Sequence, residues 1–292
     1  MTIEEQVRIS RFTTLGTGGP ARFFARPTTL AELEGALAWA AAEAIEIAVI
    51  GLGSNLLVAD DGVDALVLKL DGDLASVETS DGLLLAGGGA ANAVALHHAR
   101  AAGLGGFEFA SAIPGTAGGG VKMNAGAYGS DWRAVMSRAL IVDAEGRHWC
   151  TADELGLRYR HSDLRPGEVV ARVEFRLEPR APEEIKALVS ELHARRKSTQ
   201  PTNKRTFGSV FKNPEAGPGA GQLIESCGLK GFRIGGAVIS PVHANFIENA
   251  DRARSADAIA LMAEARRRVR DRFGVELEHE VQLLGQLELP PL

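Results

Sequence analysis

The chain has 292 residues, of which 45% are hydrophobic and 24% charged, a composition typical of a globular protein with a sizeable core. Its formal net charge of −5 gives no overall basic field, so nucleic acid is not an expected partner. The two cysteines, Cys150 and Cys227, are too few for a disulfide framework, which favours the reducing cytoplasm. The first residues are polar and no apolar window is long enough to span a bilayer, so we expect no membrane association.

Helices and strands are intermixed along the chain. Thr29 and Glu32 form a capping box before a run of apolar residues at helical spacing, which predicts a first helix over 30–44. Further helices are predicted over 91–102, 183–197 and 253–273, and strands over 47–50, 56–58, 66–70, 83–86, 139–142, 169–177 and 280–284. Because the two kinds of element do not alternate regularly, the sequence predicts an α+β fold.

Glycine is the compositional outlier, with 34 of 292 residues against an ordinary level of about 7%. The glycines are concentrated at 51–53, at 87–89 and between 113 and 129. The first of these turns lacks the third glycine of a dinucleotide-binding fingerprint, and alone it would be read as an ordinary turn. Together the three segments suit a backbone wrapped closely around a bulky ligand, with amides on a diphosphate. The sequence therefore indicates that the ligand is an extended dinucleotide.

Several of these segments resemble one family of flavoproteins. GLGSNLLVADDG at 51–62, AIPGTAGGG at 112–120, MNAGAYG at 123–129 and GSVFKNP at 208–214 occur in the order found in the UDP-N-acetylenolpyruvoylglucosamine reductases of peptidoglycan synthesis. LEHEV at 277–281 adds to the resemblance, which runs from about residue 13 to 285. The short connection at 162–167 resembles the branch of the family that lacks a tyrosine-bearing insertion.

The resemblance implies a fold and a domain organisation. Two α+β subdomains of the vanillyl-alcohol-oxidase-like, PCMH-type fold would bind FAD, and a smaller α+β domain would bind the substrate. We expect the first subdomain at 1–75, the second at 76–200 with a C-terminal strand at 275–292, and the substrate-binding domain at 201–274.

The resemblance also implies a reaction. The enolpyruvyl ether of UDP-N-acetylglucosamine would be reduced to UDP-N-acetylmuramate, with NADPH as electron donor, and no obligatory protein partner is expected. FAD should be held non-covalently, because segments 51–55 and 113–129 contain no histidine or cysteine that could attach it. No metal is expected, since the seven histidines show no metal-ligand spacing.

The expected binding residues follow from the matched motifs. FAD contacts are expected from Gly51, Gly53, Ser54, Asn55, Leu56, Gly87, Gly88, Pro114, Gly115, Thr116, Gly118, Gly119, Asn124, Ala125 and Gly126. Substrate contacts are expected from Tyr159, Arg196, Lys212, Asn213 and His243.

Three residues match the catalytic positions of the family: Arg160, Ser209 and Glu280. Hydride addition to the vinyl group leaves an enolate beside a carboxylate, and the fork of Arg160 suits two such oxygens. The enolate carbon must then take a proton, which the resemblance assigns to Ser209, assisted by Glu280. Because a free hydroxyl is a weak acid, Ser209 needs a cation or a relay nearby, and Lys212 is a candidate.

Two other functions compete with this interpretation. Another flavoenzyme of the same fold, such as an oxidase, would often attach FAD through histidine or cysteine. A nucleotide-sugar-binding protein without catalytic activity would be favoured by loss of Arg160, Ser209 or Glu280, and all three are present.

Overall fold

A computed structural model describes residues 1–291, and these residues form two compact units that each combine several stretches of chain. The first unit contains Met1–Glu5, Phe23–Leu52 and Ala65–Arg195. The second contains Gln6–Arg22, Gly53–Asp64 and the chain from Arg196 onward. The predicted boundary at 200 lies within five residues of the point, between Arg195 and Arg196, where the chain last passes from the first unit to the second. The predicted boundaries at 75 and 274 have no counterpart in this division, in which the chain passes between the units several times before residue 66.

The four predicted helices are present with boundaries shifted by at most two residues, together with three short helices. They are α1 (Leu30–Ala42), α2 (Asn92–Ala101), α3 (Ala117–Lys122), α4 (Trp132–Val135), α5 (Pro182–Thr199), α6 (Ala220–Ser226) and α7 (Ser255–Phe273). Among residues 1–291 no helix is both long and apolar enough to cross a membrane.

The strands include every predicted one, with boundaries that shift by at most three residues. They are β1 (Ile3–Arg8), β2 (Pro20–Ala25), β3 (Ile47–Val49), β4 (Leu56–Val58), β5 (Val63–Leu68), β6 (Val77–Ser80), β7 (Leu83–Gly87), β8 (Leu104–Gly105), β9 (Gly126–Ala127), β10 (Ser130–Asp131), β11 (Met136–Val142), β12 (Arg147–Cys150), β13 (Val169–Arg176), β14 (Glu178–Pro179), β15 (Thr206–Ser209), β16 (Arg233–Ile234), β17 (Ala237–Ile239), β18 (Phe246–Asn249) and β19 (Gln282–Leu284).

The centre of the first unit is an antiparallel sheet with strand order β12-β11-β13-β7-β6. Ala139 and Ile141 of β11 belong to a core cluster that contains Trp132. Leu140 and Val142 belong to another cluster, which includes the inner face of α1. Alternate side chains at 139–142 of β11 therefore enter different cores, which explains why this part of the strand is a continuous apolar run.

A second sheet of strand order β1-β2-β5-β3 packs near α1. The Oγ1 of Thr29 accepts a hydrogen bond from the amide of Glu32, which confirms the predicted start of the helix. The carboxylate of Glu32 accepts hydrogen bonds from Thr28 rather than from the Thr29 amide, so the reciprocal half of the box is shifted by one residue.

The second unit contains a sheet of strand order β15-β18-β17-β16, whose core is completed by α6 and α7. The pairing of β15 with β18 shifts register between Thr206 and Ser209, where Gly208 has φ +82°. A bulge of this kind changes the direction of the side chain that follows it. The C-terminal strand β19 pairs in parallel with β4 of this same unit, whereas 275–292 was expected with the second FAD-binding subdomain.

Candidate active site

The first unit brings the glycine-rich segments together. The amide of Gly118 donates a hydrogen bond to the carbonyl of Gly88 at 2.9 Å. A Cβ at Gly51 would lie 2.6 Å from Oγ1 of Thr116, so the first turn also lies against the third segment. The carbonyl of Gly115, one residue after Pro114, accepts a hydrogen bond from the amide of Asn92 at 3.0 Å. Residues predicted to bind FAD from three distant parts of the chain thus share one backbone surface.

Adjacent glycines on this surface have different surroundings. A Cβ at Gly118 would lie 2.9 Å from the carbonyl oxygen of Gly88, so the protein's own backbone excludes a side chain there. At Gly119 the nearest atom to a Cβ is Oγ1 of Thr116, at 3.4 Å. The close backbone packing at Gly118 and the open space at Gly119 together suit a surface that binds the flat rings and the diphosphate of FAD.

Sequence reasoning missed Lys69 beside the first glycine turn. Its Nζ donates a hydrogen bond to the carbonyl of Gly51 at 2.8 Å. Burial, together with the charge of Arg26, lowers the pKa of the Lys69 amino group. The only sequence signal is a lysine between Leu68 and Leu70 at the end of an apolar strand, which is also common in ordinary proteins.

Arg160 occupies a tight turn in the first unit. The amide of Arg158 donates a hydrogen bond to the carbonyl of His161 at 3.1 Å, and the amide of His161 donates one to the carbonyl of Arg158 at 3.0 Å. Arg160 has φ +52°, in the left-handed region that glycine and asparagine tolerate best. Its Nη2 donates a hydrogen bond to the carbonyl of Gly126 at 2.7 Å. The exposed ring of Tyr159 lies beside the guanidinium, 5.1 Å from its Cζ.

Asn124 is fully buried, and its carboxamide makes three hydrogen bonds within the protein. Nδ2 donates to Oδ2 of Asp131 and to the carbonyl of Arg158, and Oδ1 accepts from the amide of Arg133. Any contact of Asn124 with FAD would therefore come through its backbone. The amide of the next residue, Ala125, donates to the carbonyl of Gly120 at 2.8 Å.

The second unit brings together the other two predicted catalytic residues. The amide of Glu280 donates a hydrogen bond to the carbonyl of Val210, the residue after Ser209, at 2.8 Å. Nδ2 of Asn55 donates to the carbonyl of Glu280 at 3.1 Å. A Cβ at Gly208 would lie 3.2 Å from the carbonyl oxygen of Ser54. The turn at 53–55, the end of β15 and the 277–281 segment are therefore adjacent in this unit.

The remaining predicted residues also lie in the second unit, and several have structural partners. The carbonyl of Gly53 accepts from the amide and hydroxyl of Thr14, and Leu56 pairs with Gln282. Oδ1 of Asn213 accepts from the amide of Ala220 at the start of α6.

Two of the predicted basic residues are held by neighbouring side chains. Nζ of Lys212 donates to Oε1 of Glu278 at 2.5 Å, and Nε of Arg196 donates to Oε1 of Gln200 at 3.2 Å. Lys212 is thus paired with a carboxylate, which weakens the case for it as the cation that acidifies Ser209.

His243 is partly buried beside α6, and its Nδ1 accepts a hydrogen bond from the amide of Asn245. Burial is the main cause that lowers the pKa of His243, and the nearby charge of Lys230 acts in the same direction while Glu225 opposes it. The imidazole is therefore held in its neutral form near pH 7, as an acceptor at Nδ1. Among residues 1–291 no cluster of three or more histidine, cysteine or acidic side chains is arranged to hold a metal ion.

Comparison with protein families agrees with this arrangement. The FAD binding domain family matches residues 21–151, which contain the glycine-rich surface. The C-terminal domain of UDP-N-acetylenolpyruvoylglucosamine reductase matches residues 200–284, which contain Ser209 and Glu280. These two matches confirm the predicted α+β fold with an FAD-binding part and a separate C-terminal domain. Fold and site together define an FAD-dependent oxidoreductase.

Individual relatives identify the family. The UDP-N-acetylenolpyruvoylglucosamine reductase of Anaeromyxobacter dehalogenans is 44% identical over 279 residues, 96% of this chain and 84% of that protein. A protein of Symbiobacterium thermophilum with the same name and the number 2 is 41% identical over 280 residues, 95% of this chain and 90% of its own length. A crystal structure of the enzyme from Thermus caldophilus superposes with a TM-score of 0.84 at 37% identity, covering 97% of this chain and 99% of the other. The chain belongs to the UDP-N-acetylenolpyruvoylglucosamine reductase family.

Proposed function

We propose that this protein reduces the enolpyruvyl ether of UDP-N-acetylglucosamine to UDP-N-acetylmuramate, with NADPH as electron donor and non-covalent FAD as cofactor. The observation that carries the proposal is the hydrogen bond between the Glu280 amide and the Val210 carbonyl, which joins the backbone of the predicted acid to that of the residue after Ser209, the predicted proton donor. Family membership supports the same reaction.

The glycine-rich surface of the first unit would hold the cofactor, through Gly87, Gly88 and the 114–119 segment. FAD held there would supply the redox chemistry, carrying a hydride from NADPH to the substrate. Segments 51–55 and 113–129 contain no histidine or cysteine that could attach it covalently. The match of residues 200–284 supports 201–274 as the substrate-binding part of the chain.

Arg160 would bind the carboxylate of the substrate and stabilise the negative charge of the developing enolate. A guanidinium has N–H donors in a fixed plane, so it can contact two oxygens in parallel. The turn that carries Arg160 fixes the start of this side chain, and the bond to Gly126 fixes one of its terminal nitrogens.

Ser209 would deliver the proton to the enolate carbon. The register shift at Gly208 would set the backbone position from which its side chain extends, and Glu280 would assist from the neighbouring segment. Because Lys212 is paired with Glu278, we assign the assisting role to Glu280. A positioned acid of this kind contributes on the order of 10²–10⁴ in rate.

We place the protein in the cytoplasm, with its two small-molecule substrates as partners and no obligatory protein partner. The supporting observation is that Cys150 and Cys227 are both free thiols, which suits a reducing compartment.

Anaerobic flavin absorbance tests the proposed function. The purified protein should be yellow, NADPH should remove the colour, and the enolpyruvyl substrate should restore it while gaining one hydride and one proton. Removal of the colour by a sugar lactone or an alcohol rather than by NADPH, and its restoration by oxygen in preference to the enolpyruvyl substrate, would indicate another flavoenzyme. Binding of the substrate without any colour change would indicate a nucleotide-sugar-binding protein. Acid denaturation should release all flavin into the supernatant, and a yellow pellet would contradict non-covalent attachment.

A further inference from the structure

We propose that Asn124 and Ser162 are positioning residues for Arg160: they hold the turn at 158–162 against the segment at 122–126 and so orient the guanidinium. The proposal rests on the proposed function, from which Arg160 takes its role. Neither side chain is expected to touch the substrate.

The turn needs support because its backbone is strained. Arg160 stands at the third position of a four-residue turn closed by hydrogen bonds between Arg158 and His161, and its φ is +52°. Type II turns place a positive φ there and favour glycine or asparagine. A residue with a long side chain persists in this conformation only where the surrounding structure holds it.

Asn124 supports the first residue of the turn, Arg158. Its Nδ2 donates to the carbonyl of Arg158 at 3.1 Å, and its other two bonds, to Asp131 and Arg133, fix the carboxamide itself. Asn124 also has a positive φ, +37°, which asparagine tolerates better than most residues. Asparagine is thus favoured here by backbone conformation and by its two donors.

Ser162, the residue after the turn, anchors its C-terminal end. It is 6% exposed, and its Oγ donates to the carbonyl of Lys122 at 2.8 Å. Nζ of Lys122 in turn donates to the carbonyl of Leu164 at 3.0 Å. Together with the bond from Arg160 to the carbonyl of Gly126, hydrogen bonds to every second residue of the segment, 122, 124 and 126, hold the turn in place.

The expected consequence is kinetic. If the turn relaxes, the guanidinium moves away from the position it needs for two oxygens, and a misplacement of about 1 Å costs on the order of 10²-fold in rate. Reduction of the flavin by NADPH does not use Arg160 and should be nearly unaffected. A general loss of folding would slow both half-reactions together.

The test uses Asn124→Gly and Ser162→Ala in the FAD-loaded enzyme, each alone and combined with Arg160→Lys. Asn124→Gly keeps the positive φ while removing the carboxamide. Ser255→Ala is the matched control, because Ser255 is also buried and its Oγ donates to a backbone carbonyl, that of Val58. Thermal unfolding of every variant is recorded alongside the two half-reactions.

We expect each single variant to slow transfer to the substrate roughly 10- to 100-fold while flavin reduction stays within about threefold. In the Arg160→Lys background the same substitutions should slow transfer to the substrate less than about threefold further, because the effects of substitutions at residues that act through one another are not additive. Ser255→Ala should slow neither half-reaction beyond about threefold.

Additive losses, or unchanged substrate transfer in both single variants, would overturn the positioning role. An Arg160→Lys enzyme with parental substrate transfer would instead contradict the proposed role of Arg160, so the two failures are distinguishable. Should Asn124→Gly fold poorly, Ser162→Ala removes only one hydrogen bond and decides the question.

Discussion

Nη2 of Arg160 lies 2.7 Å from the carbonyl oxygen of Gly126, to which it donates a hydrogen bond. Gly126 belongs to a glycine-rich segment expected to contact the cofactor, and Arg160 is expected to bind the substrate. One hydrogen bond thus joins the two parts of the proposed site that lie in the first unit. A lysine ammonium group is a point charge on a flexible stem and cannot reproduce the planar fork.

Arg160→Lys should therefore slow reduction of the substrate much more than reduction of the flavin. Loss of the fork leaves the carboxylate and enolate charges less well compensated, whereas flavin reduction by NADPH needs no such pairing. Stopped-flow absorbance measures the two half-reactions separately. Equal losses in both would assign Arg160 to folding or cofactor binding.

The backbone strain at Arg160 predicts a trade between stability and activity. Arg160→Gly and Arg160→Ala should both be inactive, but the glycine variant should be the more stable by a few tenths to about 1 kcal/mol. The reason is that glycine adopts φ +52° without a steric cost, which outweighs its larger loss of entropy on folding. Chemical denaturation compares the free energies of unfolding, and a more stable alanine variant would show that the turn is not strained.

Gly118 and Gly119 predict a separation of folding from cofactor binding. Gly118→Val should lower the melting temperature even without FAD, because its Cβ would approach the Gly88 carbonyl oxygen to 2.9 Å. Gly119→Val should fold with nearly parental stability as apoprotein but retain little FAD, because its side chain enters the proposed cofactor space. Flavin content and apoprotein melting temperature measure the two effects. A Gly119→Val protein that purifies with its full FAD content would show that the cofactor does not bind beside Gly119.

The lowered pKa of His243 predicts a loss of stability in mild acid. In the unfolded chain the imidazole titrates near its ordinary value of about 6.5, so below that pH the unfolded state binds more protons than the folded state. Stability is therefore lost as pH falls from about 6.5 toward the lower folded value. His243→Asn keeps an acceptor for the Asn245 amide and does not titrate, so its melting temperature should fall less between about pH 7.5 and about pH 5.5. The exposed His148→Asn serves as control, and an equal fall in both variants would remove His243 as the cause.

Elements with strong local signals were predicted well from the sequence. The capping box at Thr29 and the apolar period behind it correctly placed α1, and glycine density indicated the segments that converge in the first unit. By contrast β1 was not predicted, because IEEQVR is mostly exposed and has no alternating pattern. Its stability depends on pairing with β2, which is a tertiary property.

Side-chain partners could not be predicted in the same way. The pairing of β19 with β4 joins residues about 225 positions apart, and no local pattern specifies it. The sequence likewise suggested FAD contacts for Asn124, whereas its carboxamide bonds to Asp131, Arg133 and Arg158. A motif indicates which residues matter, but the hydrogen bonds that form after folding decide what each side chain does.

The central claim is that Ser209 gives the proton that completes reduction of the enolpyruvyl group. Ser209→Ala removes one hydroxyl at the end of β15 and leaves the Val210–Glu280 backbone bond in place. Stopped-flow absorbance of this variant should show NADPH reducing the flavin at a near-parental rate. Transfer to the substrate should fall on the order of 10³-fold or more, because the unprotonated enolate is high in energy and returns the hydride. Substrate transfer within a few-fold of the parent enzyme would contradict the account and assign the proton to another group.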